Sequence, residues 1–390
     1  MAWSLADMLC PRSSKCSRRL MTRSALPLPV ELILMIIGYL DSRDMLSALQ
    51  TCQTMRGIVE NCIYAHITIP NYPRMTKLLE TLHTRPDLAY NIITFDGSLY
   101  PVPQKPRFPR VVTPISLVKK WCQQRSMKRR ERTLCHTAVS SIRNMVNVKS
   151  LTLSDFRWLG TSSQTLVCKA ICSTTSLTSL TTLVIQGREF SQSQRHSECN
   201  RQLCLILRHQ PLLERLELRS GDWDLGQWIL PTDIPHLTHL TSRPEEAKFL
   251  VPGRPIASLD FKKLSLMPRM DIWDALAAST SPIRTLKVDV FQHNVLLSFL
   301  RLISSHLQDL QNLALIGPSY DTLPLLTQGF PPFLSLRTLH VTLWDHMNCG
   351  VGSVCATLRE TRRADLTKRL RLECPQFESL DYSDRGCFIL

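Results

Sequence analysis

The sequence predicts a mixed α/β fold, in which a short three-helix segment near the N terminus precedes an irregular solenoid with the form of a horseshoe. Two observations lead to this prediction. Apolar residues recur at helical spacing between residues 26 and 66, and a leucine-containing strand pattern then returns nine times, with helical patterns between most copies. The strand and the helix of each repeat bury each other's apolar side, and stacked repeats share one continuous core.

The first helix of the N-terminal segment is predicted over residues 27–40. Pro29 suits its first turn, because the N–H group that proline lacks has no partner there in any case. Apolar residues recur at every fourth position, which places them on one helical face: Leu28, Leu32, Ile36 and Leu40.

Two further short helices complete this segment. Asp41 follows the first helix and offers an N-cap to the second, which is expected over residues 44–49 and carries Leu46 and Leu49. The third helix is expected over residues 51–64. A unit of about forty residues is too small to complete a core alone, so it needs a neighbour or a partner.

These helices resemble the F-box motif. The resemblance is carried by Leu-Pro-x-Glu-Leu at 28–32, Ile-Gly-Tyr-Leu-Asp at 37–41, Asp-Met-Leu at 44–46 and the stretch 52–56, and residues 63–69 look like the strand that often follows the motif in fungal F-box proteins. It implies that residues 26–66 dock a Skp-type adaptor and, through it, the cullin scaffold of a ubiquitin ligase. The residues that it implies for the docking face are Leu28, Pro29, Leu32, Ile36, Leu40, Leu46 and Leu49.

The repeated pattern is apolar-x-x-Leu-x-apolar, which is typical of leucine-rich repeats. The copies lie about 29 residues apart on average, at the long end of the range for such repeats. Because their spacing is uneven, we expect protruding loops at 186–200, 219–235 and 241–255. Helical patterns lie at 133–145, 200–208, 294–307 and 352–370. The leucines at the fourth position of the copies are Leu151, Leu183, Leu216, Leu240, Leu259, Leu286, Leu313, Leu339 and Leu380.

The residues that flank these leucines are polar and of mixed charge. Alternate residues of a strand point to opposite faces, so the flanking residues share the concave face of the predicted solenoid. This face is suited to binding a protein substrate, whose identity the sequence does not give; the alternative is that the positions are polar only because they are solvated. The residues expected to contact the substrate are Thr152, Arg215, Glu217, Arg219, Asp260, Lys287, Asp289, His340 and Asp381.

The net charge of +15 comes mostly from two segments. Residues 1–26 hold five basic residues against one acid, and residues 104–132 hold ten against one, so that together they supply +13. The rest of the chain is close to neutral, which argues against a nucleic-acid groove along the whole protein. Residues 1–25 are expected to form a disordered basic leader, with a mitochondrial transit peptide as the alternative.

Residues 97–132 are rich in proline and in basic side chains, and we interpret them as an insertion within a repeat array that spans residues 67–390. Three interpretations of the basic run at 119–132 remain open. It is a solvated surface, a nuclear-import patch, or a docking site for an acidic partner.

No motif for a catalytic or phosphate-binding site is present in the sequence, so neither an enzyme activity nor a cofactor is predicted. His196, Cys199, Cys204 and His209 include residue types that bind zinc. Their spacing matches no common zinc finger, which favours buried or incidental residues over a metal site.

The 14 cysteines are scattered without a C-x-x-C pair, which is typical of thiols in a reducing compartment and predicts the cytoplasm, the nucleus or both. No run of 18 apolar residues occurs, so no transmembrane segment is expected. The last four residues begin with Cys387 and fit a prenylation motif. A single prenyl chain without a polybasic second signal would give only weak lipid anchoring.

Taken with the resemblance, these features predict a substrate-recognition subunit of an SCF-type cullin ubiquitin ligase. The F-box would dock the adaptor, and the solenoid would hold a protein for ubiquitination. The protein would act by positioning, because tethering raises the local concentration of substrate lysines while other subunits form the bond. The alternative is a leucine-rich-repeat scaffold for protein–protein interaction that has no ligase function.

Overall fold

The computed structural model describes residues 28–69, 72–98, 136–154, 177–186, 196–219, 223, 225–226, 228–264, 269–290, 293–317, 326–327, 329–344 and 353–385. The chain divides into two compact units, Met1–Leu180 and Thr181–Leu390. Each unit combines helices with parallel β-strands, so the fold is mixed α/β as predicted.

Three helices open the first unit where the sequence predicts them: α1 (Val30–Gly38), α2 (Ser42–Ala48) and α3 (Gln53–Ala65). The carboxylate of Asp41 caps α2 by accepting hydrogen bonds of 2.8 Å from the backbone N–H groups of its second and third residues, Arg43 and Asp44. Such a cap stabilises a helix by about 1 kcal/mol, because these groups have no partner within the helix.

The core of this three-helix segment is small. Ile33 and Ile37 of α1 and Val59 of α3 are its buried residues. The partly buried apolar side chains that pack around them are Leu40, Met45, Ala48, Leu49, Met55, Ile58, Cys62 and Ile63.

The rest of the first unit is a parallel sheet with helices between its strands. The strands β1 (His66–Ile69), β2 (Thr94–Ser98) and β3 (Ser150–Ser154) pair in that order. Ile67, Phe95 and Leu151 share one register position, and all three are buried. The connecting helices are α4 (Tyr72–Thr84), α5 (Pro86–Tyr90) and α6 (136–144).

Parallel strands in chain order also build the sheet of the second unit. The eight repeat copies of this unit each supply one strand, and their fourth-position leucines, from Leu183 to Leu380, occupy one register position and are buried. The strands are β4 (Thr182–Gln186), β5 (Arg215–Arg219), β6 (His239–Ser242), β7 (Ser258–Leu264), β8 (Thr285–Val290), β9 (Asn312–Ile316), β10 (Thr338–Trp344) and β11 (Ser379–Arg385).

Helices lie between most of these strands: α7 (His196–Arg208), α8 (Pro244–Leu250), α9 (Met270–Ala277), α10 (His293–His306) and α11 (Ser353–Glu373). Trp273 of α9 and Phe299 of α10 are fully buried, and their ring centroids lie 5.6 Å apart. The predicted loop at 241–255 is wrong, because α8 occupies its centre and buries Ala247 and Leu250.

Arg254 joins the segments on either side of β6. Its side chain is fully buried, and its guanidinium donates hydrogen bonds to the carbonyl oxygens of Leu230, Asp233, Phe249 and Pro252. Burial lowers its pKa to about 10. The side chain therefore stays charged near neutral pH and provides the donors that these turn carbonyls would otherwise lack.

Three predictions concern parts of the chain that lie outside the described residues. They are the basic leader at 1–25, the prenylation site at Cys387, and all of the 97–132 insertion except its first two residues.

Candidate interaction surfaces

The three-helix segment carries an exposed apolar surface on the side of α1 that faces away from the core. Because residues three or four apart share a helical face, Ile33 and Ile37 are buried while the residues between them remain accessible. Leu32 is 44% exposed, Met35 59% and Tyr39 88%. We call Leu28, Leu32, Met35, Ile36 and Tyr39 the α1 apolar surface.

Exposed apolar patches are typical of interaction sites, because leaving such a patch in water costs free energy that a partner recovers. Four of the residues predicted for adaptor docking lie exposed here: Leu28, Pro29, Leu32 and Ile36. Met35 and Tyr39 were missed, although they follow Leu32 at intervals of three and seven residues.

The prediction that Leu40 shares this face is wrong. Helix α1 ends at Gly38, so the four-residue spacing breaks off before Leu40, which packs against the segment's own core. Leu49 packs there too, and Leu46 is half-buried. Leu40 and Leu49 thus support the core of the three-helix segment, whereas the exposed residues of α1 lie on its outer side. Contact of Leu40, Leu46 and Leu49 with an adaptor stays a prediction.

The three-helix segment is joined firmly to the sheet of the first unit. Helix α3 continues into β1 without an intervening residue, and the Ile93 N–H donates to the Ala65 carbonyl at 2.9 Å. Arg85 pairs with Glu60 of α3 at 3.2 Å and with Asp87 of α5 at 2.6 Å. The hydrogen bond with Asp87 raises the pKa of Arg85 above its ordinary value, so this guanidinium remains charged.

A second candidate surface is the polar face of the sheet in the second unit. The strands alternate between buried apolar residues and accessible polar ones: in β8, Leu286 and Val288 are buried, and Thr285, Lys287 and Asp289 are half-buried. Residues at matching register positions of neighbouring strands lie side by side on this face. Eight of the predicted substrate-contacting residues are on it, and the ninth, Thr152, lies on β3 of the first unit, in register with Asp96.

Glu217 of β5 departs from the predicted exposure, because it is only 4% exposed. Its carboxylate accepts hydrogen bonds from Arg215 Nε at 2.9 Å and from Arg219 Nε at 2.8 Å. Burial opposes ionisation of Glu217, but the hydrogen bonds from the two arginines outweigh it and hold the pKa below its ordinary value. Glu217 thus fixes the two arginines in place, and they rather than the carboxylate are accessible.

Four charged residues of β7 and β8 form a paired cluster on the same face. Lys262 Nζ lies 3.0 Å from Asp260 and 3.5 Å from Asp289, and Lys287 Nζ lies 3.3 Å from Asp260. Burial works against the charge of Lys262, but Asp260 and Asp289 raise its pKa above the ordinary value. Lys262 was missed, although alternation along β7 places it two residues after Asp260.

His340 and Asp381 meet across the pair formed by β10 and β11. Their register positions match, and His340 Nδ1 lies 2.7 Å from Asp381 Oδ2. His340 Nε2 lies 2.8 Å from the Thr342 hydroxyl, so both ring nitrogens have partners. The polar face therefore holds its charges mainly in pairs.

The described parts of the chain contain no group of three or more side chains suited to holding a metal ion. Of the four residues whose types could bind zinc, Cys204 is buried in α7, whereas His209 is exposed just beyond that helix. Nor is any helix in those parts long and apolar enough to cross a membrane.

An exposed apolar helix face and a parallel sheet with a polar face are features typical of proteins that bind other proteins. The model of the F-box-like family matches residues 26–70, which comprise the three-helix segment and β1. No curated protein matches the chain. The match supports an F-box protein, and F-box proteins are typically adaptors and not enzymes. An F-box domain implies binding to a Skp-type adaptor and suggests, in general terms, a substrate adaptor of an SCF-type ligase.

Proposed function

We propose that this protein is the substrate-recognition subunit of an SCF-type cullin ubiquitin ligase. The three-helix segment docks a Skp-type adaptor, and a leucine-rich-repeat solenoid holds a protein substrate on its polar face. The protein performs no bond-making itself. It raises the local concentration of substrate lysines near the ubiquitin-conjugating subunit.

The observation that carries this proposal is the α1 apolar surface. It lies within the residues that match the F-box-like model, and it stays exposed although the segment has a core of its own. Apolar and aromatic side chains of this kind form the centre of protein–protein interfaces, where they supply most of the binding free energy.

The repeat pattern supports the second half of the proposal. Each copy in the second unit supplies one strand of a parallel sheet, with its leucine buried and its flanking residues on the polar face. Stacked repeats of this kind present an extended surface that contacts several parts of a partner at once.

The proposal is tested by measuring the affinity of a purified Skp-type adaptor for the full chain and for a Leu32→Glu/Ile36→Glu variant. Both substitutions lie on the exposed side of α1, so the segment should still fold. Two charges at the centre of an apolar interface should weaken adaptor binding at least tenfold, on the order of 1.4 kcal/mol or more.

The control is Leu334→Glu, which places one glutamate at an exposed leucine of the second unit. It should bind the adaptor as the unmodified chain does. If the α1 variant keeps its circular dichroism spectrum and still binds the adaptor fully, the ligase proposal fails. The function that then remains is that of a scaffold for protein–protein interaction.

A further inference from the structure

Arg215 and Arg219 form a pair of accessible guanidinium groups on the polar face of the second unit. They stand on either side of Glu217 along β5, and their side chains are 53% and 50% exposed. The buried Glu217 carboxylate holds both groups through their Nε and Nη2 atoms. The pair is therefore preorganised, with a net charge of +1 when Glu217 is counted.

The outer N–H groups of this arginine pair remain available. Each guanidinium has five N–H groups, and the Nη1 atoms of both arginines make no hydrogen bond to any residue that the structure describes. They belong to side chains that are about half exposed, and they are not the atoms that bind the shared carboxylate.

The residues beside the pair add donors and no further acid. Thr182 of β4 and His239 of β6 lie in register with Arg215, and Gln186 of β4 lies in register with Arg219. On the described polar face of β4, β5 and β6, Glu217 is the one acidic side chain. This area therefore repels cations and offers several hydrogen-bond donors to an anion.

Elsewhere on the polar face the charged side chains that the structure describes lie in pairs. The cluster on β7 and β8 holds two lysines against two aspartates, and His340 pairs with Asp381. A partner that covers this face meets a surplus of positive charge at β5 that no further acid on the described polar face of β4, β5 and β6 matches.

We propose that the Arg215–Arg219 pair binds the carboxylate of an Asp or Glu side chain in an extended segment of the substrate. This inference rests on the proposed function, in which the polar face holds the substrate. A carboxylate carries a single negative charge, which matches the net +1 of the site. A phosphoryl group carries about −1.5 to −2, so it would exceed the net +1 of the site and leave uncompensated negative charge beside the buried Glu217.

The test uses the full chain and four peptide libraries that differ only at a fixed central residue: glutamate, glutamine, lysine or phosphoserine. The flanking positions are random. The glutamate library should bind about tenfold more strongly than the glutamine library, because the carboxylate makes charge-assisted hydrogen bonds. An Arg215→Gln/Arg219→Gln variant should lose this preference.

Two further variants sharpen the test. Glu217→Gln raises the net charge of the site from +1 to +2, so the preference should move from glutamate towards phosphoserine. Arg301→Glu changes an exposed arginine of α10 and should leave the preference for glutamate intact. Circular dichroism spectra of all variants report whether they remain folded.

Equal binding of the glutamate and glutamine libraries would overturn this proposal, as would tighter binding of phosphoserine by the unmodified chain. If no library binds at all, the polar face also loses its proposed role in holding substrate. None of these three results affects adaptor docking by the α1 apolar surface, which is measured separately.

Discussion

Glu246 shows how a single carboxylate can make stability depend on pH. It lies in the first turn of α8 and accepts hydrogen bonds from the backbone N–H groups of Arg243, at 3.0 Å, and Trp223, at 3.2 Å. The side chain is almost fully buried. Burial outweighs these hydrogen bonds and raises the pKa of Glu246 from 4.5 to about 8.

Between these two pKa values the folded chain holds a proton that the unfolded chain has released. The stabilising effect of that proton is full below pH 4.5 and is lost as the pH rises through about 8. We therefore expect a Glu246→Gln variant to show a shallower fall in melting temperature than the unmodified chain between these pH values. Glu245→Gln, at the exposed neighbouring residue, is the control, and equal slopes for all three proteins would contradict the prediction.

At the scale of the strand, the aligned leucines make the repeats depend on one another. Leu313 is buried between Leu286 and Leu339 of the neighbouring strands, whereas Leu380 of β11 has Leu339 as its one register neighbour among the described strands. Removing a buried leucine side chain leaves a cavity whose cost depends on how many neighbours lose contacts.

We expect Leu313→Ala to lower the free energy of unfolding by about 2–5 kcal/mol and Leu380→Ala to lower it by less. Urea denaturation followed by circular dichroism measures both. Equal losses would show that the position of a strand within the sheet does not determine the contribution of its leucine.

The strands were more predictable from the sequence than the helices between them. A strand of this sheet reveals itself by a leucine at a fixed position, since that position is buried in each of the nine copies. Helix α8 was missed because its seven residues include two glutamates and a lysine, which suggest a loop. The burial of Glu246 depends on contacts with a distant segment, which no local pattern reports.

The sequence predicted which residues lie on the polar face, but it did not predict how exposed each charged side chain is. Strand alternation placed Arg215, Glu217 and Arg219 together, yet it gave all three the same exposure. The carboxylate is buried because two arginines on its own strand compensate its desolvation. On α1, the sequence predicted an apolar face but also assigned Leu40 to it, because the end of the helix at Gly38 was not recognised.

At the scale of the whole molecule, the net charge of +15 is concentrated outside the described sheets. Residues 1–26 and 104–132 account for +13, whereas the charges of the polar face are largely paired. Non-specific attraction to polyanions should therefore depend on these two segments.

Replacing the ten lysines and arginines of residues 104–132 by glutamine lowers the net charge from +15 to +5. This variant should elute from heparin at a clearly lower salt concentration, because fewer counterions are released on binding. Replacing the five basic residues of 1–26 should give a smaller shift. Unchanged elution of the first variant would place the anion-binding surface elsewhere on the protein.

Because α3 passes directly into β1, the three helices cannot be separated from the strands that follow without loss of contacts. Ala65 and His66 are consecutive residues of a helix and a strand, and the F-box-like match itself extends through β1 to residue 70. A chimera that transplants only the three helices would lose the hydrogen bond from Ile93 to Ala65 and expose Tyr64. The three-helix segment should therefore not function when it is transferred alone to another protein. A functional chimera has to include the first strands as well.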